Sequence, residues 1–479
     1  MKERHHLRHD YLTFPETIAQ SFANIAPTLT PALAIPLVAA SAGTGTWLTF
    51  LIATVGLLLV GLNVAVFSKR FATSGSFYRY VRRSMGPSWG FASGWAMIFA
   101  YLGTAMAVMV AFGIFANLLA AKIGFHLPQY VWYFGAMLLI WALGYKDIKL
   151  SSILALLLEF ASVGLILSLG IYAFAHSGFK IDTSQLTLKG VHVKGIQLGM
   201  VLAVFSFVGF ESAATLGKES KQPFKTIPRA VLLSAGIAGA IFIFMSYVEI
   251  STFPGGLNAL SSSTAPLNSI SKAMNVGWFG TLIDLGASIS LFSCTLASMN
   301  AASRVMFTMA RDSHFHSSIG EAHRNNRTPH IAVSASAVIT IVGIMALYRS
   351  QPLTAYAYFG TIATYGFFFV YIMISIAAPK LLKSIGELTP VALVTSVLAV
   401  LFMAIPVEGS LYPVPTWPWN LLPYIFLAYM VAGFIWYQFR KRSRFAHELT
   451  ELTNDIELVY SEHELELVDS ETSTNALDS

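Results

Sequence analysis

The sequence has 479 residues, 55% of them hydrophobic and only 11% charged, with a mean hydropathy of +0.63. Soluble globular chains carry about 25% charged residues, so the composition excludes an ordinary soluble domain and predicts an integral membrane protein without a nucleic-acid partner. The formal net charge of +6 hides a split: everything after Phe445 contains ten Asp/Glu and no Lys/Arg, and the remainder is strongly basic.

Apolar runs long enough to cross a bilayer, which takes about 20 residues, occur near 19–41, 46–67, 89–120, 129–144, 150–175, 196–217, 227–250, 278–308, 328–348, 353–378, 389–408 and 417–438. They predict an all-α protein of twelve transmembrane helices. Continuous apolar runs, as opposed to alternating ones, disfavour a strand barrel. The start, Met1 to Tyr11, is polar, and no small-residue cleavage pattern follows the first apolar run, so the first span is expected to anchor. The single cysteine, Cys294, excludes an intrachain disulfide and a cysteine-rich metal site. With the N-terminus inside, 24 Lys/Arg fall in inward segments and six (Lys122, Lys180, Lys189, Lys194, Lys272 and Arg349) in outward ones. This positive-inside asymmetry predicts both termini in the cytoplasm of a cell that holds the protein in its plasma membrane.

The first span cannot be an unbroken helix. Pro27, Pro31 and Pro36 would leave the carbonyls of Ala23, Pro27 and Ala32 without helical partners. Such groups survive in hydrocarbon only where protein or a watery cavity satisfies them. A second half-helix would begin with free amides at Thr28, Leu29 and Thr30, which suit a carboxylate or another anion. A packed proline kink is the bland alternative. Tyr101 and Thr104 in the third span are candidates for lining a pocket. Glu159, among Leu156, Leu157, Leu158, Phe160 and Ala161 of the fifth span, requires a close partner or a proton at bilayer depth.

The sixth span holds a second irregularity, Phe205-Ser206-Phe207-Val208-Gly209-Phe210-Glu211. A mid-helix glycine costs about 1 kcal/mol and a buried carboxylate more, so Gly209 and Glu211 together predict a break lining a cavity. Interrupted helices opening each of two halves are the sequence pointer to a secondary transporter of inverted repeats. The expected divisions are a tail over 1–18, five-helix repeats over 19–175 and 196–378, two extra helices over 389–438 and an acidic tail over 439–479. Asp284 in the eighth span is a candidate partner for a substrate amine, or a residue facing the outer vestibule. Ser293 and Thr295 lie deeper in that span, and Arg304 and Arg311 at its inner end are expected to meet lipid headgroups and loop carboxylates. No resident metal or cofactor and no catalytic set is expected. His5, His6 and His9, and His314 with His316, lack a third ligand.

Residues 71–81 (Phe-Ala-Thr-Ser-Gly-Ser-Phe-Tyr-Arg-Tyr-Val), Gly86-Pro87, Gly94-Trp95, Phe207-Val208-Gly209-Phe210-Glu211, Glu219-Ser220-Lys221-Gln222-Pro223, Ile227-Pro228-Arg229-Ala230, Ser303-Arg304 and Met309-Ala310-Arg311-Asp312 stand in an order and spacing that resembles the amino acid–polyamine–organocation transporters. That superfamily shares the leucine-transporter fold. The resemblance implies a permease that moves amino acids or related amines by alternating access, coupled to protons or to exchange. A channel or a substrate-sensing receptor on the same architecture is the alternative. It implies a first substrate wall of Ala26, Pro27, Thr28, Leu29 and Thr30, whose amides hold a carboxylate. The second wall is Phe205, Ser206, Phe207, Val208 and Gly209, with Phe205, Ser206 and Val208 offering carbonyls to the amine and Phe205 or Phe207 gating. Glu211 matches an acidic position linked to protonation. Two departures stand out: Pro27-Thr28-Leu29 replaces a Gly-Ser-Gly break, and Glu159 is the ionisable group of a span where some proton-coupled members carry lysine.

Overall fold

The computed structural model describes residues 12–442 apart from 147, 189 and 413. Of the tails expected over 1–18 and 439–479, residues 1–11 and 443–479 lie outside them. The described residues are mostly helical, with an isolated bridge, Leu12 to Ser220, and no sheet among them.

The chain opens with α1 (Phe14–Ile25), capped by Thr13, whose amide donates to Glu16 at 2.8 Å. It continues through a widened π-turn, Thr30–Ala34, into α2 (Ile35–Ala42), and a tight turn at Gly43–Gly45 leads to α3 (Thr46–Ser68). Then come α4 (Phe77–Met85), α5 (Pro87–Lys122), α6 (Gln129–Lys146), α7 (Ile148–His176), a single turn α8 (Thr183–Leu186) and α9 (Val193–Phe205). The second part holds α10 (Pro223–Thr252), the short α11 (Gly256–Ser261) and α12 (Pro266–Ala273), then α13 (Gly277–Arg311), α14 (His330–Ala346), α15 (Pro352–Ser384), α16 (Pro390–Leu411) and α17 (Leu422–Arg442).

Among the described residues, eight stretches are long and apolar enough to cross a membrane, the first being the whole of Phe14–Ser68, and two more apolar helices, Val193–Phe205 and His330–Ala346, are shorter. The protein is therefore a multi-pass membrane protein. Where the sequence predicts one span over 196–217, the helix stops at Phe205, since the chain leaves helical geometry before Gly209.

α5, α13 and α15 form the enclosed centre, and α16 and α17 lie at the margin. Small residues set the closest approach: a Cβ added at Gly103 would lie 3.0 Å from Ala363, and one at Gly366 2.9 Å from Ala100, so α5 and α15 pack nearly backbone to backbone. Lipid supplies no hydrophobic drive between helices, and close packing of small residues takes its place. The outer margin is apolar instead of polar, with Val391, Leu401, Phe434 and Phe439 exposed, which is the surface a hydrocarbon solvent selects.

Candidate substrate site

The first break falls where the prolines demand it. α1 ends at Ala26, a non-glycine residue in left-handed geometry (φ 47°, ψ 65°), whose amide still reaches the carbonyls of Phe22 and Ala23. Pro31 and Pro36 remove two helical donors, and between them the helix widens so that the Ile35 amide reaches back five residues to Thr30. The expected row of free amides is shorter than the sequence suggested. Leu29 donates to the Ala26 carbonyl at 2.8 Å, closing a local turn. The Thr28 side chain is also engaged: its hydroxyl donates to Glu159 Oε1 at 3.0 Å, and its amide faces the same carboxyl. A carboxyl group does sit at this break, and it belongs to the protein.

The second break begins where α9 stops. Successive tight turns carry Phe207, Val208 and Phe210 back to the carbonyls of Val204, Phe205 and Phe207, and Gly209 adopts φ 97°. The Phe205 carbonyl is thus already accepting from Val208 at 3.0 Å. A Cβ at Gly209 would lie 2.4 Å from Asn24 Nδ2, so the two breaks meet face to face at this glycine. Further bonds bind them: the Ala213 amide donates to Ser21 Oγ at 2.9 Å, and Ser212 Oγ donates to the Gln20 carbonyl at 3.1 Å. On the other side, Cys294 and Ser298 of α13 donate to the Asn24 carbonyl and side-chain oxygen, and Gln20 donates to the Ala297 carbonyl at 3.0 Å.

Between the breaks lies a small space of about 10 Å³, room for about one water. Asn24, Ile25, Leu29 and Thr30 border it from the first break and Phe205, Ser206 and Val208 from the second. Thr104 and Val108 of α5, Cys294 of α13 and Tyr356 of α15 complete it. Of the expected walls, Ala26, Pro27, Thr28, Phe207 and Gly209 stand outside this lining. Phe205 and not Phe207 covers the space: its ring meets Tyr356 at 6.0 Å, whereas Phe207 turns away onto Phe242 at 5.0 Å.

Tyr101 is likewise diverted from the lining. Its hydroxyl donates to Glu211 Oε1 at 2.8 Å, and Tyr371 of α15 donates to Oε2 at 2.8 Å. Glu211 is fully buried behind the second break, with the amides of Gly209 and Glu211 itself turned towards it.

The amino acid permease family model matches residues 18–450. The chain belongs to the amino acid permease family. Similar proteins include an uncharacterized transporter of Mycobacterium tuberculosis, 27% identical over 296 residues, covering 60% of this chain and 63% of that one. Others are a branched-chain amino acid permease of Bacillus subtilis (23% identical, 61% of this chain and 66% of that one) and a low-affinity putrescine importer of Escherichia coli (27%, 61% and 65%). Each match spans less than two thirds of the relative's length. A crystal structure of an Eremococcus coleocola manganese transporter mutant has the same fold, with a TM-score of 0.57 at 11% identity over 92% of this chain and 94% of that one. The branched-chain amino acid permease and the putrescine importer are named as transporters.

Ion pairs tie the helices together beyond the breaks. Asp284, expected to face a vestibule or an amine, is 1% exposed and already held by Lys122 at 2.8 Å and Asn268 at 2.6 Å. Arg304, expected to meet lipid headgroups and loop carboxylates, is buried away from headgroups and pairs with both oxygens of the loop carboxylate Glu219 at 3.0 and 3.2 Å. Asp312 gathers Tyr78, Arg79 and Arg82. Sequence reasoning missed Asn24, Tyr356 and Tyr371. A polar residue three positions before Pro27 was a local signal for Asn24; the two tyrosines had none.

Proposed function

We propose that this permease is a secondary transporter that moves amino acids or related amines by alternating access, driven by a proton gradient or by exchange. The observation that supports it most directly is the meeting of two helix breaks around a small space, with a buried carboxyl behind each. A space of about 10 Å³ is too small for an amino acid, so the substrate enters by parting the breaks, which is the movement alternating access requires. Relatives named for branched-chain amino acids and for putrescine support an amino compound as cargo.

The reading extends to architecture. Twelve crossings, with repeats over 19–175 and 196–378 and two added helices over 389–438, accord with breaks in the first helix of each half. The distribution of Lys and Arg supports cytoplasmic termini in the plasma membrane.

The function is tested by uptake of a panel of amino acids and amines into proteoliposomes under an imposed pH gradient. Accumulation of any member is the expected result, and silence from folded protein across the panel overturns the proposal. Binding without flux would mark a receptor instead, and single-channel currents a channel. Glu211 carries the proton-coupling role in this scheme, because tyrosine hydroxyls and backbone amides surround it and no fixed cation pairs with it. Glu211→Gln keeps both tyrosine partners and removes the exchangeable charge. It is expected to cut gradient-driven uptake at least tenfold and to spare substrate exchange; equal losses in both assays would remove Glu211 from coupling.

A further inference from the structure

We propose that the groove between α5, α6 and α13 holds one acyl chain of a membrane phospholipid, whose phosphate meets Lys122 at the groove's mouth. The inference is independent of the substrate and of the coupling scheme.

Phe112, Ala116, Ala120 and Ile123 share one face of α5 and form the groove's long wall. Trp132 of α6 and Ser288 of α13 stand at its sides, and the connection from α5 to α6 folds over its end, where the Phe125 amide donates to the Ala120 carbonyl at 2.9 Å. The groove has a volume of about 400 Å³. Two of the lining side chains are polar, and each is used within the protein: Trp132 Nε1 donates to Asn117 Oδ1 at 2.8 Å, and Ser288 Oγ to the Asp284 carbonyl at 2.8 Å. These side chains offer no free donor or acceptor, so a polar ligand would lose its hydration without compensation. Hydrocarbon loses nothing there.

Length and level decide which hydrocarbon. From Phe112 to Ile123 the wall runs eleven residues, about 16 Å at the helical rise, which matches one leaflet, half of a core about 30 Å thick. The mouth lies at the headgroup level: Tyr130 at the start of α6 and Trp278 at the start of α13 are exposed there, and such aromatic residues gather at membrane interfaces. Ile123 and Phe125 are exposed too, so the groove opens onto lipid. At its deep end the Phe112 ring meets Phe292 of α13 at 6.4 Å.

The mouth also carries a donor. Lys122, 38% exposed, donates to Thr281 Oγ1 at 2.9 Å and to Asp284 Oδ2 at 2.8 Å. An ammonium has three donors, so the third is left for a phosphate oxygen, at the level where lysines near helix ends extend towards the interface. An apolar groove one leaflet deep beneath an interfacial cation fits a phospholipid, whereas a free hydrocarbon would leave that donor unused.

The test uses the full-length protein purified in mild detergent and reconstituted in phosphatidylethanolamine–phosphatidylglycerol vesicles. Native mass spectrometry of the wild type is expected to show one phospholipid retained per chain, and Ala116→Phe, which fills the groove, to cut that occupancy at least fivefold. Equal retention by the two proteins overturns the inference. So does a non-lipid compound retained in the phospholipid's place, or a dimer that Ala116→Phe dissociates. In vesicles whose acyl chains carry bromine at mid-chain, the Trp132 emission, read as the difference that Trp132→Phe makes, is expected to be quenched at least twofold in the wild type and to recover with Ala116→Phe; equal quenching in the two backgrounds overturns the inference as well. Lys122→Gln keeps a hydrogen bond for Asp284 and removes the charge. Phospholipid retention is expected to fall at least threefold, and unchanged retention overturns the assignment of the phosphate to Lys122. Should Ala116→Phe fail to fold, Ala120→Leu fills the same wall and takes its place.

Discussion

Gly209→Ala is expected to reduce uptake at least tenfold while a control, Gly135→Ala, leaves it unchanged. Two costs coincide at Gly209. Its φ of 97° lies where L residues are strained, at about 1–3 kcal/mol. The added methyl would also sit 2.4 Å from Asn24 Nδ2 and 2.5 Å from its Cγ, a separation no packed pair sustains. Asn24 has little freedom to withdraw, because Ser298 holds its side-chain oxygen and Cys294 its carbonyl. The strain therefore passes into the contact between α1 and α13. A loss of about 1.4 kcal/mol is already tenfold, which the upper part of the backbone strain range reaches before the clash is added. Gly135 has open space around its Cβ position and no unusual backbone. The measurement is initial uptake rate in proteoliposomes at matched reconstituted protein; a Gly209→Ala rate within twofold of wild type would refute the account of the break. Adding Asn24→Ala removes the clash but not the backbone strain, so the double variant is expected to recover only part of the lost rate.

Both breaks were legible in the sequence because proline and glycine act through the backbone on their immediate neighbours. Pro27, Pro31 and Pro36 forbid specific hydrogen bonds whatever surrounds them, and the chain answers within a few residues by the left-handed Ala26 and the π-turn over Thr30–Ala34. What the side chains meet was not legible. Glu211 finds Tyr371 across 160 residues, and Ser298 finds Asn24 across 274; no local pattern encodes either. The same limit misplaced Asp284, whose partner Lys122 lies 162 residues away. It also left Phe205 and Phe207 equivalent, since only the path of the turns decides which ring covers the space. Leu29 fails for a different reason: a break reads as free amides, but the chain at once recloses a turn on the Ala26 carbonyl.

Arg304→Met should be among the most destabilising single changes in the chain, by about 3–5 kcal/mol, because it leaves Glu219 as an uncompensated buried charge. Arg304 is 2% exposed and Glu219 is 2% exposed, so water cannot replace the lost partner. The consequence spreads through the backbone: the Glu219 carbonyl accepts from the Leu12 amide and the Lys221 amide donates to the Leu12 carbonyl, both at 2.9 Å. The pair thus clamps the segment after the second break to the chain just before α1. Removing both charges, as in Arg304→Met with Glu219→Leu, takes away the unpaired ion along with the pair, and replacing a buried ion pair by apolar groups is often neutral in stability. The double variant is therefore expected to melt near wild type while the single variant melts several degrees lower. Stability and transport then separate: with the clamp gone, the double variant is expected to exchange substrate faster than it accumulates it against a gradient. A double variant that melts as low as Arg304→Met would show that the ion pair is needed for folding itself, and one that accumulates substrate like wild type would show that the clamp takes no part in closing the permease.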